Sequence, residues 1–425
     1  MTPGWEGVAP RERPMRTRCV LAVCSAAALA GPSTISLAHA GAFAVRTQSA
    51  YGQGSSFAGI AAGGSLSSMF WNPANLSDVR RTAIEMVGSG IFPEVDVKLD
   101  PQPLLGFPGS NEGNIAHNAF VPAGYAAYRL NDRVVLGVGI NSPFGLITKH
   151  DGASILYRSG VAGKSEALSL NMNPALSLEV TDWLALALGA QVQYFEARLT
   201  RQALGALGNS TLDGDDVGFG LTAGIKVTPV PGTEIGVGYR SFIHHELDGT
   251  LETANAGDFD VHYDGVNLPD MVTLGIRQRI TDRLRVMAGA EWANWSQFGT
   301  VEIQGGPAPI DLPFEYDDSW LVSLGGEFDL TQRATVRAGI GYELSPIDDN
   351  VRNYRLPYNN GILLSVGGSY RLDERFSFDF GYSFFAVEDM DILAADAGGP
   401  DANGPFSGRA DTYVNYVSAA IRWKP

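Results

Sequence analysis

Beyond residue 80 the chain alternates apolar with small or polar residues at a period of two, the pattern of a strand with one apolar face. Over 376–384, Phe376, Phe378, Phe380, Tyr382 and Phe384 fall on one side, and Ser377, Asp379, Gly381 and Ser383 on the other. Over 334–344, Ala334, Val336, Ala338, Ile340, Tyr342 and Leu344 oppose Thr335, Arg337, Gly339, Gly341 and Glu343. Read this way, the sequence predicts fourteen strands, near 81–92, 114–130, 133–142, 166–180, 183–199, 216–228, 233–247, 271–280, 284–295, 319–330, 334–343, 361–372, 376–387 and 413–423.

The connections say what kind of sheet this is. Six are short and polar: Asn131-Asp132, Thr181-Asp182, Pro229 to Gly232, Thr281 to Arg283, Thr331 to Arg333, and Asp373 to Arg375. The seven between them are long: 92–113, 143–165, 200–215, 248–270, 296–318, 344–360 and 388–412. A soluble sandwich has no reason to alternate short and long connections, whereas outer-membrane barrels pair short periplasmic turns with long extracellular loops. Hydrocarbon cannot satisfy an unpaired N–H or C=O, so a sheet in lipid must close on itself. The expected fold is therefore all-β: a 14-stranded antiparallel transmembrane β-barrel over 81–425, with both termini on the short-turn side. Trp183, Trp292, Trp295, Trp320 and Trp423 lie near strand ends, where an interfacial girdle belongs. No run of eighteen consecutive apolar residues follows residue 40, which excludes a helical span.

The first forty residues read as a cleaved signal peptide. Arg11, Arg13, Arg16 and Arg18 precede the apolar run Cys19 to Ala30, and Ala38-His39-Ala40 offers small residues for cleavage before Gly41. Met15 is an alternative start, and Cys24 a weak lipoprotein match with Val23 where a small residue is wanted. Both cysteines lie in this leader, so the remainder has no disulfide and no thiolate metal site. The net charge of −16 argues against nucleic acid, whose binding rests on basic side chains. Residues 41–80 mix glycine, alanine and serine with Phe43, Tyr51, Phe57, Met69, Phe70 and Trp71, without strand alternation. Small residues permit close packing and large ones need burial, so this segment is expected to plug the lumen as an N-terminal hatch.

The run Phe70-Trp71-Asn72-Pro73-Ala74-Asn75-Leu76 resembles the Asn-Pro-Ala hatch motif of FadL-type transporters, and Gly41-Ala42-Phe43 is similar to their mature start. Further matches follow in order: Asn141 to Thr148, Asn171 to Ala175, Gly214 to Gly220, Asn267 to Met271, Trp295-Ser296-Gln297-Phe298, and Ser345-Pro346-Ile347. The resemblance implies a Gram-negative outer-membrane protein, not an enzyme and without cofactor or metal, that takes up long-chain fatty acids or aromatic and aliphatic hydrocarbons by passive, ligand-gated diffusion. It implies that Phe43, Phe70, Trp71, Asn72, Pro73 and Ala74 form the hatch and ligand site. It implies a kink in the third strand that opens the wall sideways, here at Asn141, Ser142, Pro143, Phe144 and Gly145. Pro143 cannot donate to a ladder, which suits an interrupted strand. An outer groove on the third and fourth loops would leave Leu204, Leu207 and Leu212 as its remnant; the family's carboxylate-binding basic residues do not align to particular positions here, and Arg198 and Arg201, the nearby candidates, read more simply as loop-edge charges. The partners implied are a hydrophobic small molecule, membrane lipid and lipopolysaccharide, with the protein a monomer.

Other motifs carry less. Gly160 to Ser165 resembles a phosphate loop, but a Walker loop needs glycine where Arg158 stands. His244 and His245 are adjacent in a predicted strand and point to opposite faces, a poor arrangement for one metal. Two competing functions predict different lumens. A general porin needs an open, charged channel, whereas the inward faces read as Gly- and Ser-rich with few charges. An outer-membrane hydrolase needs a nucleophile near a histidine, and His117, His150 and His262 have no such signature beside them.

Overall fold

The period-two pattern becomes a closed wall in which lipid-facing and lumen-facing residues alternate. In a computed structural model, residues 42–103, 106–202, 208–395 and 401–425 are described; the signal-peptide reading falls outside them. The wall strands are β1 (Thr82–Leu99), β2 (Ala119–Arg129), β3 (Val134–Asn141), β4 (Lys164–Thr181), β5 (Leu184–Gln202), β6 (Asn209–Val230) and β7 (Thr233–Arg240). They continue with β8 (Met271–Arg279), β9 (Leu284–Ala293), β10 (Ser319–Asp329), β11 (Ala334–Leu344), β12 (Gly361–Arg371), β13 (Phe376–Val387) and β14 (Gly408–Trp423). Each pairs antiparallel with its sequence neighbour, and β14 returns to β1 from Ile84↔Trp423 to Leu99↔Gly408, so the sheet is closed. The fourteen-stranded antiparallel barrel expected from the pattern is the fold.

Outward positions carry the exposed apolar side chains, such as Leu188, Phe219, Leu221, Val322, Leu324, Phe378 and Phe380. Exposure of large apolar groups at alternate positions suits a lipid solvent rather than water. The short turns repeat one device. Thr281, Thr331 and Asp373 each accept, through a side-chain oxygen, the backbone N–H groups two and three residues on, at 2.7–3.2 Å. The short polar side chain thereby replaces the ladder partners that the turn removes.

The long connections differ from the loops expected. The segment 200–215 is mostly strand, because β5 runs to Gln202 and β6 starts at Asn209, paired up to Gln202↔Asn209. The strand expected over 233–247 breaks: β7 stops at Arg240, and Ile243–Thr253 starts an outer hairpin with Gly257–Leu268. The alternation persists past the break, with Leu247, Leu251, Val261 and Tyr263 all buried inward. Sequence periodicity marks pairing, and pairing extends beyond the membrane.

Residues 42–81 fill the barrel interior. A short helix, Ala50–Gln53, is capped by Ser49, whose Oγ accepts from the Gly52 N–H at 3.1 Å. Three 3-10 turns follow at Ile60–Ala62, Leu66–Phe70 and Pro73–Asp78. Almost every residue from Ala42 to Leu76 is buried, and Phe43, Tyr51, Phe57, Phe70, Trp71 and Leu76 share one apolar cluster with the wall.

Candidate functional site: the hatch and the break in the wall

The hatch motif is a docking device. Asn72 caps the turn at Pro73, with its Oδ1 accepting from the Ala74 N–H at 3.0 Å. Its Nδ2 donates to the carbonyls of Ala61 at 2.7 Å and of Ile225 on β6 at 3.0 Å, joining the hatch to itself and to the wall. That approach requires wall glycines: a β-carbon at Gly224 would overlap Asn72 Oδ1, and one at Gly238 would overlap the Trp71 carbonyl.

Charge holds the hatch as well. Arg46 pairs through Nε with Glu291 of β9 at 2.8 Å and through Nη1 with Glu343 of β11 at 2.5 Å. The remaining carboxylate oxygens accept from Trp71 Nε1 at 2.9 Å and from the Tyr358 hydroxyl at 3.0 Å. A cavity of about 20 Å³ adjoins Arg46 and Glu343, room for roughly one water. Lower in the barrel, Tyr51 donates to Glu327 at 2.8 Å, while Arg277 donates to both at 3.0 and 3.1 Å. Glu85 of β1 accepts from the Leu66 and Ser67 N–H groups and from Ser67 Oγ. On the short-turn side of the hatch lies a cavity of about 1180 Å³, lined by Arg277, Arg285, Arg337 and Glu327 among others.

These charges correct the expectation of a lumen with few. Arg337 and Glu343 already stood on the inward face of the 334–344 pattern. The missed signal was that a charged residue facing a filled lumen must find a partner there.

The ladder between β2 and β3 is shorter than either neighbour's. β2 pairs with β1 from Ala119 onward, but with β3 only from Gly124. β3 ends at Asn141, and the chain resumes at Gly145–Lys149 paired with β4. Ala119 to Ala123 of β2 therefore have no β3 partner. The edge at 143–145 is covered from inside by the hatch. Val45 N–H donates to the Pro143 carbonyl and Gly145 N–H to the Phe43 carbonyl, both at 2.8 Å, around an Ala44–Phe144 bridge. Gln48 Nε2 adds a bond to the Ser142 carbonyl at 2.7 Å. The amino end of the hatch thus supplies the edge pairing that β2 does not.

Behind this patch sits an aromatic cluster. The Phe43 ring lies 4.8 Å from Trp295, 5.2 Å from Phe298 and 6.0 Å from Phe144, all edge-on. Trp295 is fully buried there, so it is not a girdle residue as its place near a strand end suggested; a 3-10 turn at Trp295–Gln297 swings it inward. Trp183, Trp320 and Trp423 are exposed on the wall. Phe70 packs on Trp71 at 4.8 Å.

The remaining predicted positions separate. Leu204 and Leu207 lie outside the described residues. Leu212 is buried on the inner face with Leu247 and Leu251, while Arg198 and Arg201 are exposed. His244 points out and His245 in, as the strand phase requires. His244, Glu246 and Asp264 gather on the exposed outer face with donor atoms within 4.8 Å of one another.

The family described as "Outer membrane protein transport protein (OMPP1/FadL/TodX)" matches residues 33–424. This chain belongs to that family. The FadL-family barrel is 25% identical to outer membrane protein P1 of Haemophilus influenzae, over 90% of this chain and 93% of that protein. It is 25% identical to the long-chain fatty acid transport protein of Escherichia coli O6:H1, over 74% of this chain and 79% of that one. Among solved structures, a Pseudomonas aeruginosa FadL homologue superposes with a TM-score of 0.78 at 20% identity, covering 90% of this chain and 99% of that chain. The Ralstonia pickettii toluene transporter TbuX gives 0.67 at 19%, covering 89% and 100%. The FadL-family chain is accordingly an outer-membrane protein of the Gram-negative envelope.

Proposed function

We propose that this FadL-family barrel takes up hydrophobic small molecules, fatty acids or hydrocarbons, by passive diffusion, with lateral exit between β2 and β3 gated by the hatch. The observation that carries the reading is the Phe43–Val45 strand seated on the edge at Pro143–Gly145. Burying apolar surface is favourable by roughly 25 cal/mol per Å², so an exit through water opposes release of such cargo. An exit through the wall delivers it to hydrocarbon without that cost. The aromatic cluster behind the patch supplies an apolar resting place. Phe43 belongs to both, so a ligand displacing its ring pulls on the strand that closes the wall.

The test exploits a chain whose two cysteines, Cys19 and Cys24, both precede the hatch. Ala44 and Phe144 face each other as an antiparallel pair between hydrogen bonds, where Cα atoms stand about 4.5 Å apart, within disulfide range. Cells carrying A44C/F144C should lose uptake of labelled palmitate and of labelled toluene when oxidised and regain it on reduction. Full uptake through the oxidised protein would refute a lateral exit gated here. Planar-bilayer conductance addresses the porin reading, since large steady currents through the intact protein would favour it.

A further inference from the structure

The chain carries a net charge of −16. Yet the cavity of about 1180 Å³ on the short-turn side of the hatch is lined by twelve arginines and lysines against six aspartates and glutamates. Its inner layer is neutralised from within. Glu327 is shared by Arg277, Arg285 and Arg337, Asp379 pairs with Arg422, and Asp78 takes Lys226 at 2.6 Å. The excess lies at the mouth. There Arg81, Arg279, Arg283, Arg333, Arg371 and Arg375 line the cavity, and among the described residues none has a carboxylate oxygen within 4.0 Å.

Three of these cations come from one turn design. Thr281-Asp282-Arg283, Thr331-Gln332-Arg333 and Asp373-Glu374-Arg375 each end in an arginine whose backbone N–H donates to the side-chain oxygen of the first residue, at 3.2, 3.1 and 2.8 Å. A repeated backbone geometry repeats the Cα–Cβ direction. Three successive short turns therefore start a guanidinium toward the same mouth, and all three line it.

A concave mouth rimmed by one sign of charge raises the local concentration of anions. Few large apolar side chains reach the lining, so it is no resting place for a hydrocarbon. The volume also exceeds the roughly 300–1,000 Å³ typical of small-molecule pockets. The unpaired guanidiniums stand on separate turns and strand ends, an arrangement that matches several carboxylates spaced along one chain. Each planar fork can take one of them. A uniform polyphosphate carries charge at every step and would press some of it against Asp282, Asp329 and Glu374 in the same lining. A peptide can set neutral residues opposite those three.

We propose that this mouth is a docking socket for an acidic segment of a soluble periplasmic protein. The hatch residues Gly64, Ser65 and Leu66 form part of the lining, so the docked segment rests against the underside of the hatch. The socket is independent of what the barrel carries.

The experiment measures fluorescence anisotropy of a labelled peptide of about ten residues, alternating glutamate and alanine, with the full-length protein in a non-ionic detergent. A peptide alternating glutamine and alanine is the uncharged control. The acidic peptide should bind, and raising the salt from about 50 to about 500 mM should weaken it at least tenfold. Arg283→Gln/Arg333→Gln/Arg375→Gln should weaken it about tenfold, three exposed charge contacts being lost together. Arg198→Gln/Arg201→Gln, which removes exposed cations at the opposite end of the barrel, should leave it unchanged. Retained heat-modifiability in electrophoresis shows that each variant is folded. No binding by the wild type, equal binding of the glutamine peptide, or equal loss in the two variants would overturn the socket. Binding of polyphosphate without binding of the acidic peptide would overturn the choice of a protein partner.

Discussion

Replacing Arg46 by methionine tests whether charge or shape holds the hatch. Methionine keeps much of the aliphatic stem but leaves Glu291 and Glu343, 4% and 3% exposed, without their shared cation. Removing one partner of a buried pair costs about 3–5 kcal/mol, because the surviving charge stays desolvated. Trp71 and Tyr358 still donate to the two carboxylates, which places the expected cost toward the lower figure. The wall is intact, so the loss falls on local opening of the hatch rather than on the barrel. A cost of about 3 kcal/mol raises the open population by about two orders of magnitude. Hydrogen exchange of residues 43–48 should accelerate by that factor in Arg46→Met, while the β11 and β12 amides keep their protection. Arg46→Met/Glu291→Gln/Glu343→Gln should recover most of the protection, since neutral amides need no counter-charge. Unchanged exchange in Arg46→Met, or no recovery in the triple variant, would refute the argument.

Other outcomes follow from the same contacts. Gly238→Val places side-chain atoms where the Trp71 carbonyl lies, so the hatch should be displaced and its proteolysis accelerated, with electrophoretic heat-modifiability of the barrel retained. Trp295→Ala empties the centre of the aromatic cluster and should cost about 3–5 kcal/mol of local stability, read as faster exchange at 43–45. Acidity should loosen the outer loops. His150 contacts the Tyr354 carbonyl through Nε2 at 2.9 Å, and burial holds its imidazole below the usual 6.5. The neutral form is the one that packs, so its contribution is complete above about pH 6.5 and is lost as pH falls through the lower folded value. Proteolysis within 143–165 should therefore rise between pH 7.5 and 5, and His150→Gln should flatten that dependence.

Much of the wall was legible because lipid imposes a strict rule on each strand. Apolar side chains must face hydrocarbon at alternate positions and every edge must pair, so period and turn spacing together determine strand number and closure. Pro143 lacks the N–H that a continuous ladder needs, which suits a β3 that ends at Asn141. Where the strands end was not legible, because pairing continues outside the membrane, as in the extensions of β5 and β6 toward residues 202 and 209.

The sequence alone determined a cylinder with greasy outward faces and a compact, small-residue segment to fill it, since both follow from local period and composition. Only the tertiary structure decided the partners of Arg46, the inward turn of Trp295, and the docking of Asn72 on the Ile225 carbonyl of β6. Those facts depend on which of many inward-facing residues come within 3 Å of one another. A period-two pattern gives a side chain's face but not its height in the barrel or the hatch residue opposite it; strand register and the path of residues 42–81 fix both.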